Sequence, residues 1–99
     1  VPVALIGCGA VAQLFYKPAL RELGRRGELK VVAVCDPADA ARAALAAEFP
    51  GARAMGSCDE ALGGARLVIV ASPPRWHREQ VEQALAAGLD VELPIAAYI

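Results

Sequence analysis

Val3-Ala4-Leu5-Ile6 runs directly into Gly7-Cys8-Gly9-Ala10-Val11-Ala12, so an apolar run of strand length ends in Gly-x-Gly-x-x-Ala, and an amphipathic segment follows at once. Few arrangements satisfy that order of parts. A buried parallel strand delivers the backbone into a tight turn at Gly7, and Gly9 lacks a Cβ, which lets a pyrophosphate approach the main chain. The helix behind offers unpaired N–H groups and the positive end of its dipole to that anion. Ala12 stands where a third glycine often sits and still permits close helix-to-strand contact. A lone glycine pattern is weak; the strand before it, the helix after it and an acid further on strengthen it.

The rest of the chain repeats the alternation. Val31 to Cys35 and Leu67 to Ala71 are apolar throughout, the signature of strands buried on both faces. Arg53 to Met55 and Asp90 to Leu93 read as shorter strands. Between them lie helical patterns: Ala10 to Leu23, closed by Gly24 with Gly27; an alanine-rich segment opened by Asp36-Pro37 and running to Phe49; a brief helix with a capping box from Ser57 to Glu60; and a last helix placing His77, Val81, Ala84, Leu85 and Gly88 on one face. Pro18 cannot donate to the Leu14 carbonyl, so the first helix is expected to bend or restart there. Repeated β-α-β units predict an α/β fold, a three-layer doubly wound parallel sheet ordered 3-2-1-4-5. Its ligand crevice belongs outside the carboxyl ends of strands 1 and 4.

Composition narrows the partners. The 99 residues are 57% hydrophobic and 21% charged with a net charge of −1, which gives no basic field for nucleic acid and no polybasic face for a membrane. No apolar run is long enough to span a bilayer, and a cytoplasmic setting is expected. Cys8, Cys35 and Cys58 form neither a Cys-x-x-Cys pair nor a cluster with histidine, so they read as small apolar fillers in a reducing compartment, with no metal site.

Taken together, Gly7-Cys8-Gly9-Ala10-Val11-Ala12, Pro18-Ala19-Leu20, Val32-Ala33-Val34-Cys35-Asp36-Pro37, Ala71-Ser72-Pro73-Pro74 with His77, and Ala84-Leu85-Ala86-Ala87-Gly88 resemble the amino-terminal half of the glucose-fructose oxidoreductase and inositol dehydrogenase (Gfo/Idh/MocA) family. The resemblance implies a Rossmann domain that binds NAD, or NADP, and belongs to an oxidoreductase transferring a hydride to or from a sugar, inositol or related polyol. It implies that Gly7, Gly9, Ala10 and Val11 lie against the pyrophosphate. Asp36 would accept from the adenosine ribose, which favours NAD over its 2′-phosphorylated form. Ser72, Pro73 and Pro74 would shape the pocket, with His77 just behind them. The family's larger α+β domain, which supplies the small-molecule substrate contacts, the proton-transfer group and a homo-oligomer interface, lies outside residues 1–99.

Several residues keep two readings. Asp36 precedes Pro37, so its carboxylate is also a candidate helix cap. His77 is as well suited to pack against the sheet as to touch a ligand; Trp76 reads as a packing residue; Arg25, Arg26, Arg75 and Arg78 read as solvated; and Arg42 is placed to reach back toward a phosphate. Where the family usually carries Glu-Lys-Pro after strand 5, this chain reads Glu92-Leu93-Pro94. Leucine donates no hydrogen bond and carries no charge. That departure leaves two explanations: residues omitted near Glu92, or divergence toward a non-catalytic dinucleotide-binding or sensing module. An S-adenosylmethionine-binding domain is disfavoured, because Leu5-Ile6 rather than an acid precede the glycines.

Overall fold

The structure, a computed structural model, describes residues 1–93. Five parallel strands form one sheet: β1 (Pro2–Ile6), β2 (Lys30–Cys35), β3 (Arg53–Met55), β4 (Leu67–Val70) and β5 (Asp90–Glu92). Their order is β3-β2-β1-β4-β5, as the alternating pattern predicts. Four α-helices connect them: α1 (Lys17–Arg25), α2 (Asp39–Ala46), α3 (Cys58–Ala61) and α4 (His77–Ala86).

Two cores sit on opposite faces of the sheet, and the alternation of β1 divides its side chains between them. Val3 and Leu5 pack with Leu20, Leu45 and Phe49 under α1 and α2. Ala4 and Ile6 face Ala61 and Ala84 of α3 and α4, where small residues let the helices lie close. Each fully buried Leu, Ile or Val contributes about 1.5–3 kcal/mol of transfer free energy, so a core poor in aromatics is still sufficient. β2 departs from the uninterrupted burial expected of it. Its register against β1 slips between Val3 and Ala4, which pair with Val31 and Ala33. Val32 is therefore an extra residue, and it alone within Val31 to Cys35 is half-exposed.

The first helix restarts, as Pro18 requires. Ala12–Tyr16 form a π-helical turn closed by the Lys17 amide on the Ala12 carbonyl. Pro18 then falls in the opening turn of α1, where no donor is needed. Tyr16 is buried beneath this junction, while Leu14 and Phe15 are 81% and 69% exposed. Gly27 closes α1 at positive φ, whereas Gly24 lies within the helix.

Three local expectations are corrected. α2 begins at Asp39 rather than at Asp36-Pro37 and ends at Ala46 rather than Phe49: Ala38 stays extended at the cap position, and Asp36 bonds the Ala38 amide in a turn ahead of the helix. Ser57 occupies the cap position of α3 but makes no side-chain cap bond. Leu85 is 58% exposed rather than part of the buried face of α4, which turns His77 and Ala84 inward. At the end of α4 the Leu89 amide bonds to the Ala84 carbonyl and the Gly88 amide to that of Leu85. Gly88 takes the positive φ this ending needs and turns the chain back into β5.

Candidate cofactor cleft

A cleft of about 630 Å³ opens at the carboxyl ends of β1 and β4, where the winding direction reverses. That volume is within the range of roughly 300–1,000 Å³ typical of cofactor and small-molecule sites. Every residue that the family resemblance assigns to the cofactor lines it: Gly7, Gly9, Ala10, Val11, Asp36, Ser72, Pro73, Pro74 and His77.

The two glycines of the floor do different work. Gly7 has φ +96°, and a Cβ there would fall 2.6 Å from Ser72 N and 2.8 Å from Ala71 C. Its own amide donates to the Cys35 carbonyl at 2.7 Å, and the Ala71 amide donates to Ile6 O at 2.7 Å, tying three strand ends together. Gly7 is thus demanded by packing. Gly9 has no neighbouring atom within 4 Å of the Cβ position and no positive φ, so the fold itself does not require a glycine there. The space a side chain would fill is cleft.

The chain turns helical at Ala10, and no side chain caps the helix. Among the described residues, no side chain accepts from the amides of Gly9, Ala10 or Val11, and all three residues are exposed. Such a helix opening carries partial positive charge and free donors. The Cys8 amide is the exception in this turn: it donates to Asp36 Oδ2 at 2.9 Å. Asp36 Oδ1 accepts from the Ala38 amide at 2.8 Å. Each oxygen then retains acceptor capacity, since an ionised carboxylate offers about four lone-pair sites. Free donors on the floor and a fixed carboxylate at one end suit an anion flanked by a hydroxylated sugar, so the residues present fit a nicotinamide dinucleotide.

The opposite wall is held from α4. The Ser72 hydroxyl donates to Gln80 Oε1, and His77 Nε2 contacts the Ser72 carbonyl. A carbonyl only accepts, so Nε2 carries the proton, and the buried imidazole clamps the turn through Ser72-Pro73-Pro74. Gln80 was not singled out from the sequence; on a helix rich in polar residues nothing distinguishes it until the Ser72 turn is seen above it. Trp76 was read as a packing residue, but it is 46% exposed on the cleft wall. The Arg75 guanidinium lies over its ring at 5.4 Å from the centroid. Arg42 is turned away from the cleft: it donates to the Asp36 carbonyl at 2.8 Å and to Asp39.

The thiols are electrostatically quiet. Burial, with the Asp36 carboxylate and Cys35 beside it, pushes Cys8 up to about 12. Burial, with Cys58 and Asp36 next in effect, pushes Cys35 up to about 11. Both side chains pack as apolar fillers, and among the described residues no cluster of metal-ligating side chains occurs. No helix among those residues is long and apolar enough to cross a membrane.

Comparison with known proteins agrees with this geometry. A family model described as an oxidoreductase family with an NAD-binding Rossmann fold matches residues 1–98. Over 92 residues the chain is 48% identical to an inositol 2-dehydrogenase of Leifsonia xyli subsp. xyli (strain CTCB07), covering 91% of this chain and 27% of that protein. The WlbA dehydrogenase of Chromobacterium violaceum, solved with NADH and UDP-GlcNAcA, superposes with a TM-score of 0.86 at 28% identity, over 98% of this chain and 28% of that one. Biliverdin reductase of Synechocystis sp. PCC 6803, solved with biliverdin and NADP+, gives 0.78 at 29% identity, over 94% and 28% of the two chains. The chain thus spans less than a third of the length of these relatives. With its motifs, strand order and cleft in agreement, the chain belongs to the Gfo/Idh/MocA oxidoreductase family, as its NAD-binding Rossmann fold.

Proposed function

We propose that this chain is the cofactor-binding domain of an NAD(P)-dependent oxidoreductase that moves a hydride between the nicotinamide and a sugar, inositol or related polyol. The observation that carries the reading is the open cradle at Gly9: free helix amides on one side, the Asp36 carboxylate on the other, and no structural need for the missing side chain. The amides of Gly9, Ala10 and Val11 are the donors for the pyrophosphate, and Asp36 accepts from the adenosine ribose hydroxyls. A 2′-phosphate in that position meets a carboxylate, so NAD is preferred. Ser72, Pro73, Pro74 and His77 form the wall that orients the remainder of the ligand. Once bound, the nicotinamide supplies the hydride chemistry, and the protein supplies orientation and electrostatics.

Among the described residues that line the cleft, no side chain is placed as a free general base. Asp36 is bonded through both oxygens, and His77 gives its Nε2 proton to Ser72. We assign proton transfer and most substrate contacts to a further domain, a reading supported by the chain's spanning only 27% of its inositol 2-dehydrogenase relative. The polyol class is supported by the inositol 2-dehydrogenase relative, and a sugar nucleotide by the WlbA likeness.

Leu93 favours a second reading. Its side chain packs against the Ala4 and Ile6 core rather than offering a donor to the cleft, as suits a module that binds the dinucleotide without turning it over. Titration with NADH and NADPH, followed by calorimetry, tests the first reading: tighter binding of NADH is expected, and equal binding refutes the ribose role of Asp36. Assay of the full chain with NAD and a panel of inositols and sugars separates the two, since binding without turnover selects the module.

A further inference from the structure

We propose that Arg42 is a positioning residue for cofactor discrimination: by holding the main chain of Asp36, it sets where the Asp36 carboxylate stands in the cleft. The inference rests on the ribose-binding reading of Asp36 given above.

Asp36 is tethered at every polar group it has. Its amide donates to the Met55 carbonyl at 3.2 Å. Its carbonyl accepts from Arg42 Nη1 at 2.8 Å. Its two carboxylate oxygens accept from the amides of Cys8 at 2.9 Å and Ala38 at 2.8 Å. Three of these partners are main chain and follow from the sheet and the turns. Arg42 is the one side chain in the set.

The guanidinium is held by two acceptors. It bridges the Asp36 carbonyl and the Asp39 carboxylate from the first turn of α2, with its side chain 21% exposed. A Cβ at Gly56 would come 3.2 Å from Arg42 Nη1, so the glycine after β3 leaves the slot in which the group lies. The Asp36 carbonyl is a fixed main-chain acceptor, whereas the Asp39 side chain is 90% exposed; a charge-assisted donor on that carbonyl is stronger than a neutral one. Arg42 does not line the cleft, so it acts through Asp36 rather than on a ligand. Without it, the Asp36-Pro37 junction is released, and a carboxylate that must meet two ribose hydroxyls together is sensitive to shifts of about an ångström.

The test is a two-by-two cycle in the full chain, with NADH and NADPH affinities measured by calorimetry and folding checked by thermal melting. Arg42→Met keeps the aliphatic stem and removes the donors. It is expected to weaken NADH by about tenfold, the worth of one charge-assisted hydrogen bond, while NADPH changes little and the preference collapses. In an Asp36→Ala background the same change should move NADH by less than about twofold, because nothing is left to position. Arg42→Lys, which keeps the charge and an N–H donor group but not the planar fork, should fall between the parent and the methionine variant and serves if the latter does not fold. Equal losses for NADH and NADPH, or equal losses in both backgrounds, overturn the proposal in favour of a general cation. If Asp36→Ala alone leaves NADH binding unchanged, the ribose assignment fails. If Asp36→Ala weakens NADH but neither Arg42 variant does, only the positioning role fails.

Discussion

The backbone of Gly7 lies against that of Ser72 so closely that a β-carbon on Gly7 would stand 2.6 Å from the Ser72 nitrogen. Main chain cannot swing aside as a flexible side chain does. Gly7→Ala is therefore expected to destabilise the fold by on the order of 2–5 kcal/mol, combining a positive-φ penalty with overpacking between β1 and β4. Urea denaturation measures this, and a change below about 0.5 kcal/mol, ordinary for a surface position, would show that the turn relaxes at no cost.

Gly9→Ala separates folding from binding. Its Cβ meets nothing within 4 Å, so the melting curve should match the parent to within about 0.5 kcal/mol. The added methyl occupies the pyrophosphate's approach, and NADH affinity should fall by about tenfold or more, as when a close backbone contact to a ligand is blocked. Unaltered affinity would remove the cradle from the site.

Alkaline pH should weaken the protein through its buried thiols. Cys8 is raised from 9.0 to about 12 by burial foremost, so the folded state holds that proton more tightly than the unfolded chain does. The resulting stabilisation is complete below pH 9 and disappears as pH rises toward 12. Denaturation midpoints measured across this window should decline, and Cys8→Ala should flatten the decline. Alkylation by iodoacetamide at pH 8 should leave Cys8 and Cys35 unmodified in the folded protein; rapid labelling of either would contradict their burial.

His77→Leu removes the donor that the Ser72 carbonyl uses while keeping an apolar body of similar bulk. A partly buried acceptor left without its partner costs on the order of 1 kcal/mol, the low end of the range for a buried one. The stability loss should come with faster hydrogen exchange in the turn after β4, and exchange confined to other segments would argue that His77 is not its clamp.

The elements most legible in the sequence are those whose local and global demands coincide. β1 and β4 are apolar without interruption because helices cover both faces, and the turn at Gly7 follows from a strand that must reverse direction beside another. The cleft was legible for the same reason: each of its walls begins at a strand end marked by Gly, Asp or Pro. What escaped depended on particular contacts. The start of α2 could not be placed because Ala38 stays extended, and Asp36, an apparent cap, divides its carboxylate between the Ala38 amide ahead of the helix and that of Cys8, 28 positions away. For Arg42 a phosphate contact stood open as an alternative; it bonds the Asp36 carbonyl instead, six positions away, a local contact that no periodicity reveals. Leu85 has the spacing of a buried residue, but α4 is tilted onto its His77 and Ala84 edge.

The wide turn at Ala12–Tyr16 has a consequence for how such domains diverge. A π turn holds one residue more than an α turn, so it offsets the phase of the glycine loop from that of α1. The loop's aim is thereby uncoupled from the seat of Leu20 on the sheet. Excising a single residue between Ala12 and Tyr16 would rotate one against the other, leaving either the nucleotide cradle misdirected or the helix standing on its polar side.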